Sequence, residues 1–501
     1  MKKITKSVLF GWMGMMLFVA SCTSPSDISV ERETVALAFP IFTSETTVSD
    51  LIDEGQDSSA LVVYGDNKMG LVYETATQVD IPMPDLENFE VLLQSPITTV
   101  PNLPIAGVQI KKAKFDAGVL NFSFINNQYE EHVKIVLRIN QFSKNNTILS
   151  KTINLNYDGS LPVQKDFSVS LADYNMDVTN SSLQVEYQAS LSNGSMASIE
   201  QATMEMKDVA FSWLEGIWAE KTFPLEIPTQ EIGFFKHYTD GGAITFTNPK
   251  LKITALNSVG VTSRLNFNSV GIQTVNNEAI AVSGDFFNDG FNLSYPNIGQ
   301  IGSTMTSNTE INKANSNIVD VFNAQAKGVH FDVDYVLGSN GAQEGFVAKD
   351  SKIDLNMRVE LPFEGKVNRF KVSKDFDVKF SNEHVKAATI KLQAVNQIPL
   401  DARIQLYFLD NAGIVLDSLV ASNGILAIEA ASVNPSGDVI RAEKWEEELN
   451  IDIAKWERIK NAVNVTLTTS FTSTLGAEVP VNVKANQHVQ LNAGLKLVVL
   501  P

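Results

Sequence analysis

Three stretches of this chain run through the same alternation of residues and then stop at an asparagine: Asn126, Asn257 and Asn396. Six positions before each asparagine stand Leu120, Leu251 and Ile390; four before stand Phe122, Ile253 and Leu392. Two before are Phe124, Ala255 and Ala394, and one before are Ile125, Leu256 and Val395. The intervening residues are polar in every copy: Asn121 and Ser123, Lys252 and Thr254, Lys391 and Gln393. A two-residue period makes each copy a strand with one buried face, and asparagine tolerates a turn conformation at its end. A second alternating strand follows each one. It buries Val133, Ile135, Leu137 and Ile139 in the first copy, Leu265 and Phe267 in the second, and Ile404, Leu406 and Phe408 in the third. Asp410-Asn411-Ala412-Gly413 then supplies the glycine-ended turn of a hairpin.

A proline-bearing stretch precedes each copy: Ile81-Pro82-Met83-Pro84, Phe223-Pro224-Leu225-Glu226-Ile227-Pro228 and Leu361-Pro362-Phe363. With the asparagines 131 and 139 residues apart, two landmarks keep step, as an internal repeat requires. The rest of the chain alternates in the same way. Helix is expected only around Ile318 to Ala326 and near Glu443 to Ala462, which carries Trp445 and Trp456. The fold class expected is therefore mainly β: a small N-terminal β piece followed by about three repeated β-sandwich, immunoglobulin-like modules. The segments are 31–79 for the N-terminal piece and 80–220, 221–358 and 359–501 for the modules. Asn257-Ser258-Val259-Gly260-Val261 and Asn396-Gln397-Ile398-Pro399-Leu400 resemble the strand-to-turn signature of the late-embryogenesis-abundant type 2 family. The first copy, Asn126-Asn127-Gln128-Tyr129-Glu130, departs from it. The resemblance implies small β-sandwich domains related in outline to tubular lipid-binding folds, sometimes with an apolar groove; it implies no reaction.

The N-terminus carries an address. Lys2, Lys3 and Lys6 precede an apolar run from Val8 to Ala20, the layout of a secretory signal over 1–21. Val19-Ala20-Ser21-Cys22 resembles the lipobox of bacterial lipoproteins, and Cys22 is the only cysteine in 501 residues. That resemblance implies a mature chain beginning at Cys22, lipidated on its sulfur and amino group, with 22–30 as a tether. Two or more acyl chains hold a protein stably at a membrane surface. With Cys22 used for lipid, the chain has no cysteine left for a disulfide, so each module must be stable on burial alone. Removing the three signal lysines takes the formal charge from −18 to −21, which leaves no general attraction for nucleic acid. Only Asp27 is charged between Thr23 and Ile28, which favours the periplasmic face of the outer membrane over the cell surface.

Residues that could carry chemistry are sparse. His132, His237, His330, His384 and His488 lie far apart, with no helical ligand pair among them. His330 precedes Asp332 and Asp334 at strand spacing, which puts both carboxylates on one face, read as a solvated strand face rather than a metal site. His237-Tyr238-Thr239-Asp240-Gly241-Gly242 reads as a polar turn. Asp285-Phe286-Phe287-Asn288-Asp289-Gly290 lacks the alternating ligands of a calcium loop and reads as a hairpin turn. Hydrolase, zinc-protease, phosphate-loop and dinucleotide motifs are absent. Trp213 and Trp218 flank Gly216 where the first module meets the second; they read as packing between modules, with a sugar-stacking or docking surface as the alternative. Asn145, Asn180, Asn193, Asn292 and Asn464 head Asn-x-Ser/Thr triplets of no evident meaning in so Asn-rich a chain.

The expectation is thus a lipid-anchored envelope protein, not an enzyme, with no cofactor or metal. Its partners would be the membrane, through the lipid, and envelope proteins for which it serves as an accessory or adaptor subunit. The alternatives are a carrier or sensor of a lipid or other apolar ligand, and a surface glycan-binding lipoprotein. A continuous apolar pocket of several hundred cubic ångströms favours the carrier; a packed sandwich with an exposed apolar patch favours the adaptor; coplanar exposed aromatics favour glycan.

Overall fold

A computed structural model describes residues 35–47, 60–100, 103–179, 182–237, 243–380, 385–420, 426–474 and 479–499. The signal segment, the lipobox with Cys22, the tether, His384 and Tyr238 to Gly242 lie outside the described residues. The molecule is mainly β, built from antiparallel sheets paired as sandwiches, and the N-terminal β piece is present.

The three asparagine-ended strands, Val108–Asn126, Lys250–Asn257 and Val385–Asn396, occupy the same place in three sandwiches with the same strand order. In the second, one sheet runs Met69–Asp80, Lys352–Pro362, Lys250–Asn257, Met305–Ile311. The facing sheet runs Lys221–Leu225, Ala326–Leu337, Ser263–Thr274, Ala279–Ala281. In the third, the corresponding orders are Val35–Thr47, His488–Val499, Val385–Asn396, Glu443–Ile451 and Phe370–Asp377, Asn464–Ser473, Leu400–Leu409, Val415–Ser418. In the first they are Phe89–Leu92, Gln201–Trp218, Val108–Asn126, Val163–Ser170 and Ile97–Val100, Leu183–Leu191, Val133–Lys144, Thr147–Leu155. There the short strand Asn175–Asp177 pairs with both Val108–Asn126 and Val133–Lys144, joining the two sheets into one of eleven strands.

Each core is filled by the alternation read from sequence. Leu120, Phe122, Phe124, Val133, Ile135, Leu137 and Ile139 are buried, as are Leu265, Phe267, Ile404, Leu406 and Phe408. Rings meet across the sheets: Phe124 and Tyr187 at 5.4 Å edge-on, Phe42 and Phe376 stacked at 4.4 Å. Asp410 Oδ1 accepts from the Ala412 and Ile414 amides and Gly413 takes a φ of +77°, closing the expected hairpin.

The N-terminal piece forms no sheet of its own. Its strands become edge strands of the sandwiches in reverse order. Val35–Thr47 joins the third, pairing Val35 with Val499 through Thr47 with His488. Met69–Asp80 joins the second, along Lys352–Pro362. Phe89–Leu92, the next strand beyond that piece, then joins the first, along Gln201–Trp218. Two further links run between sandwiches. Trp213–Trp218 of the first pairs with Gln343–Ala348 from the second. A small sheet of Ala243–Phe246, Glu364–Asn368 and Val481–Asn482 bridges the second and third.

Among the described residues, helix is confined to short turns. Ile318–Asn323 is helical, and Ala326 already begins the next strand. The expected helix near Glu443 to Ala462 is corrected: Glu443–Ile451 is a strand, and only Ile453–Ile459 is helical. Alternation decides it, since Trp445, Leu449 and Ile451 turn inward while Lys444, Glu446 and Glu448 turn out. The helix starts only where Asp452 caps it, its Oδ1 accepting from the Lys455 amide at 2.7 Å.

Candidate functional site

The asparagines end their strands on the inward face, in step with the apolar residues two, four and six positions earlier, and are 1 %, 0 % and 0 % exposed. None has a left-handed φ, so backbone tolerance is not their role. Each works through its amide. Asn126 Oδ1 accepts from the amides of Gln128 and Tyr129, and its Nδ2 donates to the Tyr129 carbonyl at 2.7 Å. Asn257 Oδ1 accepts from Val259 N at 2.9 Å, and its Nδ2 donates to the Ser294 carbonyl at 3.0 Å. Asn396 Oδ1 accepts from Ile398 N at 2.9 Å, while its Nδ2 donates to the Leu400 and Glu429 carbonyls at 2.8 and 2.9 Å. In the second and third sandwiches the amide thereby holds the chain that crosses from one sheet to the other.

In the second sandwich the chain so held is the most apolar exposed loop described. Ser294 is fixed a second time by its amide donating to Ser307 Oγ at 2.8 Å. Beyond it, Asn297 Oδ1 accepts from Gly299 N and Gln300 Oε1 accepts from Asn297 N, a reciprocal cap within the loop. Tyr295, Ile298 and Ile301 are exposed to 43 %, 43 % and 37 %, beside the exposed Asn297, Ser303 and Thr304. Leu256, at the end of the neighbouring strand, is also exposed. No Asp, Glu, Lys or Arg occurs from Gly290 to Thr309, in a chain of net charge −18. Sequence reading passed over this segment; the uncharged run was the available signal, but only burial shows which of its apolar residues face water.

An apolar pocket lies at the joint of the second and third sandwiches, with a volume of about 60 Å³, lined by Phe234, Phe246, Phe363, Val367 and Val481 among others. Larger spaces among the described residues are about 340 Å³ between Phe39, Ile41, Phe380, Leu495 and Leu497 of the third sandwich, about 330 Å³ over the outer face of the second near Ala76 and Asn356, and about 490 Å³ beside Val100 and Leu183 of the first.

The other sequence candidates resolve into structure. Asp332 and Asp334 do share a face, and both carboxylates accept from Asn268 Nδ2 across the sheet, at 3.2 and 3.0 Å. The His330 ring lies over Gly271, its cross-strand partner. Among the described residues no three His, Asp or Glu side chains gather as a metal set. Asp285 to Gly290 is not a hairpin turn; it contains one turn of helix, Phe286–Asp289, whose Phe286 packs on Phe267. Trp218 is buried and donates to the Gly345 carbonyl at 3.0 Å, so it seals the ladder between the first two sandwiches, and Trp213 pairs in the same ladder. Each strand of that ladder also lies close against its own sandwich: a Cβ at Gly216 would lie 2.3 Å from the Gln109 carbonyl of the first, and one at Gly345 2.3 Å from the Gly260 carbonyl of the second. The most buried carboxylate cluster is structural as well. Glu360 meets Lys252 and Arg358, each within 2.9 Å, and burial together with this carboxylate pushes the nearby Tyr64 hydroxyl up to about 12.

No family model matches the chain, and no curated protein matches it. Among solved structures it is similar to a protein from Parabacteroides distasonis assigned as secreted, at 16 % identity and a TM-score of 0.33, covering 58 % of this chain and 90 % of that one. A structure of infectious bursal disease virus, Gx strain, aligns over 87 % of this chain and 80 % of its own at 8 % identity and a TM-score of 0.14. The PBSX exported protein XepA aligns over 60 % of this chain and 94 % of its own, at 11 % identity and a TM-score of 0.11. Scores this low fix no common fold and assign no activity.

Proposed function

We propose that this chain is a lipid-anchored protein of the bacterial cell envelope, held at the outer membrane through Cys22, that acts by binding as an accessory subunit of a membrane-associated assembly. The observation that carries the binding reading is the crossover loop of the second sandwich. Tyr295, Ile298 and Ile301 stand out from a loop braced by the Asn297–Gln300 cap, on an uncharged stretch of an otherwise acidic chain. Exposed apolar groups on an ordered support suit a protein partner, because little conformational entropy is left to lose on docking. The anchor rests on the lipobox and the signal segment.

The carrier alternative calls for a continuous apolar interior of a drug-sized ligand's volume or more. The most apolar of the described pockets, at about 60 Å³, is far short of that, and the larger ones carry polar residues in their walls: Asp377 and Lys379 in the third sandwich, Gln78 and Asn356 in the second, Gln109 and Thr179 in the first. The glycan alternative calls for neighbouring exposed rings, whereas Phe39 and Tyr295, the most exposed aromatic residues described, sit on different sandwiches. The test is crosslinking in intact cells followed by affinity purification and mass spectrometry, on the native chain and on Ile298→Asp/Ile301→Asp. A near-stoichiometric set of envelope proteins, lost from the double variant, is expected. Recovery of the native protein alone overturns the adaptor reading.

A further inference from the structure

We propose that the third sandwich, not the first, lies on the membrane, through the open margin between its Val35–Thr47 and Phe370–Asp377 strands, and that the first sandwich is held away from the surface. This rests on the lipid-anchored reading above. A sequence-order view puts the first module next to an N-terminal anchor. The structure reverses that order, because the chain leaving the tether enters the third sandwich at Val35, opposite Val499. From Thr23 to Thr34 there are twelve residues. Fully extended, such a tether reaches at most about 40 Å at ~3.3–3.6 Å per residue. Among the described residues no strand of the first sandwich pairs with the third; the first is reached only through the second, by the Trp213–Trp218 ladder.

The surface where the tether ends suits lipid. From Val35 to Ser44 there is no charged residue, and Phe39 is 41 % exposed. Beside it opens the groove of about 340 Å³ between Phe39, Ile41, Phe380, Leu495 and Leu497, with Asp377 and Lys379 in its wall. The adjoining segment 366–379 carries Lys366, Arg369, Lys371, Lys374 and Lys379 against Asp375 and Asp377, a local excess of three positive charges in a chain of −18. An apolar margin flanked by basic residues matches the acyl boundary and anionic headgroups of a bilayer. In the second sandwich Leu61–Val63 pairs along Met69–Leu71, the start of the equivalent edge strand; on the third, no described strand pairs along the outer edge of Val35–Thr47. Pro40 and the register shift between Pro40 and Phe42 spoil that edge as a template for another strand, which argues for a lipid surface over strand addition.

The lipidated full chain allows a direct test, since Cys22 is its only cysteine. Single cysteines at Ala38→Cys and Ser373→Cys (third sandwich), Ile298→Cys (second) and Met196→Cys (first) would carry a fluorophore. The protein is reconstituted into phosphatidylethanolamine–phosphatidylglycerol vesicles containing a headgroup quencher. Loss of emission is expected at Ala38→Cys and Ser373→Cys, with none at Met196→Cys. Flotation with the vesicles is scored in parallel, with Cys22→Ser as control. If the native chain does not float, the anchoring reading fails and takes the proposal with it. If it floats and the Met196→Cys probe is quenched as much as the Ala38→Cys probe, or more, the orientation alone is overturned.

Discussion

Asn257 and Asn396 each satisfy three or more backbone and side-chain partners from a position without solvent, and truncating either leaves those groups unpaired in the core. Asn257→Ala and Asn396→Ala should each cost about 1–3 kcal/mol in urea denaturation, the range for unsatisfied buried polar groups. Asn154→Ala, at an exposed strand position, is the control; equal midpoints for Asn257→Ala and the control would refute the amide's role. A second residue-scale prediction concerns Asp417. Burial alone would raise its carboxyl, but the Ser418 amide and Arg458, at 2.7 Å to both its Nε and Nη2, hold it below the ordinary carboxylate range. The folded state therefore favours the charged form. That contribution is present above the unfolded pKa, about 4, and is lost as pH falls through the lower folded value. The stability gap between native and Arg458→Gln should be constant from pH 7 to 5 and shrink toward pH 3. A gap that widens on acidification would contradict this.

Among the elements, Glu443–Ile451 shows how sequence misleads locally. It lies in the stretch from Glu443 to Ala462 expected to be helical, yet Glu446 and Glu448 point outward and both pair with Lys391 on the adjacent strand. An acidic outer edge of this kind also discourages strand addition. The opposite edge of the same sheet is Val35–Thr47, whose Phe42 stacks on Phe376. A chain beginning at residue 48 should therefore lose the third sandwich while the first persists. Limited trypsin digestion should cut first at Lys371, Lys374 and Lys496 and spare the first sandwich. The digestion pattern of the full chain, unchanged, would show the strand to be dispensable.

Across the whole molecule, the sandwiches are coupled by backbone as well as side chains. The ladder joins Trp213–Trp218 to Gln343–Ala348, and at Gly345 the latter strand lies against the Gly260 backbone of its own sandwich with no room for a side chain. Gly345→Val should break the coupling, so that calorimetry resolves two transitions where the native chain unfolds the first and second sandwiches together. One transition at an unshifted temperature would show the ladder to be without energetic consequence.

The sequence by itself determined the strands with one buried face, the three-fold recurrence and the places where each copy turns, because side-chain alternation is a local property with a period of two residues. The asparagine was visible as a landmark, and its inward parity was written in the same spacing. Its hydrogen bonds were not, since Ser294 and Glu429, whose carbonyls it binds, lie 37 and 33 residues away. Tertiary structure alone decided which edge each N-terminal strand completes, and with it which sandwich meets the tether. The hydrogen bonds of a strand edge are made by backbone groups that every residue shares, so side chains reveal that a strand exists without naming its neighbour. The exposed loop at Tyr295, Ile298 and Ile301 was hidden for a related reason: an apolar residue reads the same whether it fills a core or faces water, and only the assembled sheets separate the two.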